Sequence, residues 1–204
     1  MGGEQNNKKK VDSLYVQALL IAEVVKRILW KRAEVRLSSA PIIRRVPIID
    51  FMRKMRVWGL EKFEEEKVYI SAVNFYRDSE DYENHRAVGA LILYISETYI
   101  IKLFRDMGYP LLDDDDESSL MDACGTFCNL VAAKFKSGLI QLNYRELIMS
   151  HFMNYIDEIG PGVEYDVREK EKYEISFEIS GKKRIVIDLT MGDIPIDGDE
   201  SSLL

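Results

Sequence analysis

Residues 118–136 read Ser118-Ser-Leu-Met-Asp-Ala-Cys-Gly-Thr-Phe-Cys-Asn-Leu-Val-Ala-Ala-Lys-Phe-Lys136. Leu120, Cys124, Phe127, Val131 and Phe135 recur at helical spacing and form an apolar stripe. Asp122, Thr126 and Asn129 are spaced by four and then three residues, which puts them in one polar row elsewhere on the same helix. Gly125, Ala132 and Ala133 are small, and small residues beside a polar row let another surface come close. The run Asp113-Asp-Asp-Asp-Glu117 precedes the helix, where acidic charge suits the positive end of the macrodipole. Gly138 reads as the stop.

Outward from this helix, Ser96 reads as the N-cap of a helix over Glu97–Met107, closed by Gly108 and blocked by Pro110. Val68–Tyr76 and Val88–Ile95 are rich in Val, Ile and Tyr and read as strands, although the first alternates imperfectly. At the N-terminal side, Asp12 or Ser13 can cap a helix over Leu14–Trp30. Val35–Ile43 reads as extended, Pro41 and Pro47 flank a basic turn, and Ile48–Met55 reads as a short helix. On the C-terminal side, Glu146–Ile156, Tyr173–Ser180 and Arg184–Met191 read as strands, with Ser180-Gly181-Lys182-Lys183 as a hairpin turn. Tight turns between strand pairs point to antiparallel pairing, so the expected fold is α+β, a mainly antiparallel sheet with long helices packed on it. The expected organisation is a disordered tail over 1–11, one domain over 12–194 with a basic insertion around 41–60, and an acidic tail over 195–204.

Composition narrows the classes of function. The chain has 204 residues, 47% of them apolar, with only five Pro and twelve Gly, enough to bury one core and to exclude wholesale disorder. Twenty-eight basic residues against 35 acidic ones give a net charge of −7, which argues against nucleic acid as a partner. No stretch reaches the roughly 18 apolar residues of a membrane span. Met1–Lys10 is polar and has no apolar segment after its lysines, so no secretory signal is read there and a cytoplasmic location is expected. Cys124 and Cys128 share a helical face without further thiols or a His pair, so they read as core residues rather than a zinc site, in keeping with a reducing compartment. His85 and His151 have no second His at ligand spacing, and Asp113–Asp116 lacks the loop glycine of a calcium site. No metal or cofactor is therefore expected on this chain. Charge is uneven: residues 26–56 hold ten Lys and Arg against Glu34 and Asp50.

The polar row carries the chemistry. An Asn side chain is no general base, but its amide can hold a water by hydrogen bonds and aim it at an electrophile. Phosphoryl hydrolysis demands mostly positioning and charge neutralisation, so one amide suffices if a partner supplies the cations.

Met121–Leu139 resembles the long helix of the CheC/CheX family, phosphatases of the phosphorylated chemotaxis response regulator, whose pattern is Asp/Ser-x-x-x-Glu-x-x-Asn followed further on by a Pro. The order of elements agrees as well: an N-terminal helix, a strand pair ending in Gly89-Ala-Leu-Ile-Leu93, a helix, the motif helix and closing strands, over most of 12–194. The resemblance implies a CheC/CheX-like fold. It places Asp122 at the leading acid and Asn129 at the amide that enters the receiver's active site and orients the attacking water. Thr126 stands where the family has a Glu that contacts the receiver's active-site lysine, and His151 stands at the Pro. With Ala133, Asp122 and Thr126 are the implied partner-facing residues. The implied partner is a CheY-type response regulator, which itself holds the Mg²⁺. The first helix carries no Glu-x-x-Asn pattern, so the one-site CheX branch and its homodimer are the closer parallel.

Three readings follow. The chain is a CheX-like hydrolase of a receiver's phosphoaspartate. Or it is a catalytically degenerate relative that binds a receiver or dimerises, as Thr126 in place of Glu suggests. Or, on charge alone, the 26–56 segment binds an anionic partner.

Overall fold

The structure, a computed structural model, describes residues 12–64, 66–109 and 116–197. The expected tail over 1–11, Pro110, the acidic residues 113–115 and the stretch after 197 lie outside the described residues.

Helix α1 spans Ser13–Ala33. Asp12 caps it, its carboxylate accepting from the Tyr15 amide at 3.1 Å and from the Tyr173 hydroxyl at 2.8 Å. Ala18, Ile21, Val25, Ile28 and Leu29 form the buried face. Strand β1, Ile42–Pro47, follows, later in the chain than the extended segment expected from Val35. Residues 48–55 are no helix: β2, Asp50–Phe51, and β3, Lys54–Trp58, form a hairpin. Its two loop residues, Met52 and Arg53, both have positive φ (52° and 63°), the geometry whose twist suits a two-residue hairpin. Met55 and Val57 point inward while Arg56 faces out, so the apolar period in this segment is two, not 3.6.

After a 3₁₀ turn over Leu60–Lys62 come β4 (Val68–Tyr76), α2 (Ser79–Glu83), β5 (Gly89–Ser96) and α3 (Glu97–Asp106). Ser96 is the N-cap residue of α3 by backbone geometry but makes no side-chain capping bond. The motif helix α4 runs Glu117–Gln141. Asp116 caps it, accepting from the Ser118 and Ser119 amides at 3.1 and 3.3 Å. Gly138 is not its stop. A Cβ at Gly138 would lie 2.8 Å from Leu20 Cδ1, so the glycine lets α1 pack closely on α4. The expected strand over 146–156 is split into β6 (Ile148–Met149) and β7 (Met153–Ile156), and β8 (Glu158–Val163) was not foreseen. Strands β9 (Glu171–Ile179) and β10 (Lys182–Met191) close the chain around Ser180-Gly181. Residues 195–197, expected to begin a loose tail, are tied down: Ile196 bridges Tyr144, and the Asp197 amide donates to the Asn143 carbonyl at 2.7 Å.

The main sheet has seven strands in the order β1-β9-β10-β5-β4-β6, with β7 also on β4, and every pairing is antiparallel. The expected α+β class, antiparallel with long helices on the sheet, is what the structure has. Helices α1, α3 and α4 cover one face, where Leu91, Leu93, Ile175 and Ile187 meet Phe127, Val131 and Phe135. The small sheet β2-β3-β8 covers part of the other face, with Met55, Val57 and Ile159 against Ile70, Ile92 and Val186. Strands β4 and β5 are therefore buried along their whole length, which is why their sequences read as apolar runs instead of alternating.

Candidate functional site

Helix α4 is held by its apolar stripe. Leu120, Cys124, Phe127, Cys128, Val131 and Phe135 are all buried, and Phe127 and Phe135 make edge contacts with Phe104 and Phe75. Both cysteines are free and buried, as expected of core residues. Burial pushes the Cys128 thiol up to about 12 even though it donates to the Ser71 carbonyl at 3.5 Å, so it is inert as a nucleophile.

With that stripe inward, Asp122, Thr126, Asn129 and Ala133 lie together on the solvent side of α4. All four are exposed, and among the described residues no hydrogen bond or ion pair engages the side chains of Asp122, Thr126 or Asn129. Three polar groups held on a rigid helix and left without intramolecular partners can bind an external one.

The small residues beside the row split into two kinds. A Cβ on Gly125 would stand 2.4 Å from the Phe152 ring and 2.7 Å from Asn154 Oδ1, and Ala132 is fully buried. Their smallness admits the chain's own β6–β7 connection and core, not an external surface; Ala133 alone of the three is exposed. The β6–β7 connection therefore runs along one flank of the row. Exposed His151 sits in it, next to Phe152, with Ser150 Oγ donating to its carbonyl at 2.7 Å. His85 lies elsewhere, on the β4–β5 connection, 3.4 Å from Glu164. Among the described residues no three His, Cys, Asp or Glu side chains gather as a metal site.

The basic stretch 26–56 does not form one surface. Arg45 pairs with Asp12 and Glu171, Lys26 with Glu23, Arg36 lies over Trp30, and Arg56 lies over Phe51 and Trp58.

A second polar cluster escaped sequence reading. Asp188 on β10, fully buried, accepts from Lys172 Nζ and Tyr94 OH at 2.7 Å each and from Lys62 Nζ at 3.1 Å; Lys62 also pairs with Glu174. Burial alone would raise the Asp188 pKa, but Lys172 and Lys62 outweigh it and hold the carboxyl below its ordinary value. It lies on the sheet face away from α4 and is a charge-balanced structural pairing. The only sequence signal was a lone acid inside the apolar run of β10.

No protein-family model matches the chain, and no curated protein matches it in sequence. Solved structures do match. A CheC-like superfamily protein from Shewanella sp. PV-4 superposes with a TM-score of 0.52 at 15% identity, covering 86% of this chain and 98% of the other. The chemotaxis protein CheX from Desulfovibrio desulfuricans gives 0.51 at 10% identity, with 86% and 99% covered. The chemotaxis protein CheX from Vibrio vulnificus gives 0.51 at 11%, with 85% and 97% covered. The chain thus has the CheC/CheX-type fold, as the motif helix and element order implied.

Proposed function

We propose that this protein acts in a CheX-like chemotaxis or two-component role, on the phosphoaspartate of a CheY-type receiver. The observation that carries the reading is the row Asp122, Thr126, Asn129, exposed and without side-chain partners among the described residues, on the long helix of a CheC/CheX-type fold. Asn129 is the reactive-site residue of the reading. Its amide oxygen accepts a hydrogen bond from one water and its NH₂ can donate to a phosphoryl oxygen, which sets the water in line with the phosphorus. The water oxygen bonds to phosphorus, the bond from phosphorus to the aspartyl oxygen breaks with its electron pair, and the products are a free carboxylate and inorganic phosphate, the released proton passing to solvent. Mg²⁺ held by the receiver would neutralise the phosphoryl charge; among the described residues of this chain no three His, Cys, Asp or Glu side chains gather to hold an ion. Asp122, Thr126 and Ala133 frame the contact with the receiver. As in the CheX branch, the active form is a homodimer.

A second reading rests on Thr126. Without the family Glu the row lacks a charge-assisted contact, and the protein binds a receiver without hydrolysing its phosphate. The test is the dephosphorylation rate of a receiver charged with acetyl phosphate and Mg²⁺, with the wild type and with Asn129→Ala. Acceleration by the wild type and none by the variant, with an unchanged melting curve, supports the hydrolase. Binding without acceleration by either favours the second reading. Sedimentation of the free protein reports the dimer.

A further inference from the structure

The exposed surface of α4 does not end at the row. Leu130 follows Asn129 and Lys134 follows Ala133, about 100° further around the helix, and there α4 forms one wall of a groove of about 440 Å³ whose other wall is α1. Leu20 packs on Gly138, while Arg32 of α1 and Leu130 of α4 line the same groove, so the two helices run antiparallel. At about 1.5 Å per residue the C-terminal end of α1 then stands level with Thr126 and Asn129. Four cations line the groove, Arg27, Lys31, Arg32 and Lys134, and no Asp or Glu does. All four are exposed, and among the described residues none has an ionic partner. Leu20, Val24, Ile28 and Leu130 supply the apolar side chains of its lining. In a chain of net charge −7, four uncompensated cations along one groove reverse the local sign.

We propose that this groove is the second half of the receiver-docking surface and takes an acidic, partly apolar helix or loop of the same receiver whose acyl phosphate Asn129 reaches. The inference rests on the receiver-directed reading above. Three features select this occupant. The groove is continuous with the row, so a protein seated over Asn129 covers both. Its charge complements a carboxylate-bearing segment. Its length along α1, from Leu20 to Arg32, is about 18 Å, which suits one short element and not an extended polyanion. Of the basic residues in 26–56, Arg27, Lys31 and Arg32 belong to the groove together with Lys134, while Arg44 and Arg45 lie elsewhere, on β1.

The experiment measures affinity for a CheY-type receiver activated with beryllofluoride and Mg²⁺, at low and high salt. It compares wild type, Lys31→Glu with Lys134→Glu, and Arg44→Glu. Arg44 is an exposed cation outside the groove and also has no ionic partner among the described residues. The expected result is at least tenfold weaker binding and a shallower salt dependence for the groove double variant, with Arg44→Glu matching wild type. Melting curves check that the surface variants fold. If wild type binds the receiver and the groove variant binds equally well, the groove assignment is overturned and the Asn129 reading stands. If no receiver binds, both fall. If short RNA or phosphatidylserine-containing vesicles bind instead, and lose binding on the same reversal, the occupant named here is wrong.

Discussion

Gly125 offers a quantitative check on how α4 is seated. Replacing a helical Gly with Ala normally stabilises by about 1 kcal/mol, because the unfolded chain loses conformational freedom. Here the new methyl would lie 2.4 Å from Phe152 Cδ2 and Cε2 and 2.7 Å from Asn154 Oδ1. Ordinary carbon contacts lie at about 3.5–4.0 Å, so the Phe152 ring and the Asn154 side-chain amide must retreat by about 1 Å. Forcing an extra methyl into a packed contact costs about 1–3 kcal/mol. Gly125→Ala is therefore expected to be destabilising by about 1 kcal/mol net, or about 2–4 °C in Tm for a domain of this size. Gly138→Ala, in the same helix, is the internal control. Its methyl meets Leu20 Cδ1 and Cδ2 at 2.8 and 2.9 Å, the far end of a flexible, half-buried side chain that can rotate away. It is expected to be neutral or slightly stabilising. Thermal and urea unfolding of both variants beside wild type give the answer. A Tm for Gly125→Ala at or above both wild type and Gly138→Ala would refute the close approach of the β6–β7 connection to the motif helix, and with it the placement of that flank of the site.

Asp188→Asn removes the negative charge shared by Lys172 and Lys62, and is expected to cost about 3 kcal/mol at neutral pH, the lower end for breaking a buried pair because Glu174 still serves Lys62. Because the folded carboxyl titrates below its ordinary value of 3.8, its stabilisation is complete above that value and is lost as pH falls through the lower folded pKa. Urea titrations at falling pH should then show wild type and variant converging only under acid conditions; a gap that stays constant to the lowest pH would mean Asp188 is not the titrating partner. Thr126→Glu restores a carboxylate at an exposed, unengaged position, so it should leave stability within about 0.5 kcal/mol of wild type. It should raise stimulated dephosphorylation about tenfold, the equivalent of one charge-assisted contact. An unchanged rate in the receiver assay would show that this part of the row does not meet a receiver cation.

The sequence by itself determined what depends on neighbours along the chain. The 3.6-residue period of Leu120, Cys124, Phe127, Val131 and Phe135 turned Asp122, Thr126, Asn129 and Ala133 outward, and the structure keeps them there. The β9–β10 hairpin was legible because Ser180-Gly181 tolerates positive φ at both turn positions. Reading failed where local period was ambiguous or partners were distant. Residues 48–55 looked helical because a short apolar run with charges fits either period, and pairing of β3 with β2 beside it and with β8, about a hundred residues away, selected the strand. Gly125 and Gly138 read as room for a visitor and as a helix stop, yet both are spent on close contacts inside the chain. Tertiary packing alone brought Asp188 to Lys62, and Lys134 beside Arg27, Lys31 and Arg32. Periodicity reports which face of an element is buried, but not which other element buries it. The electrostatic neighbours of a charge, and therefore the second half of this surface, are decided only when the helices and sheets pack.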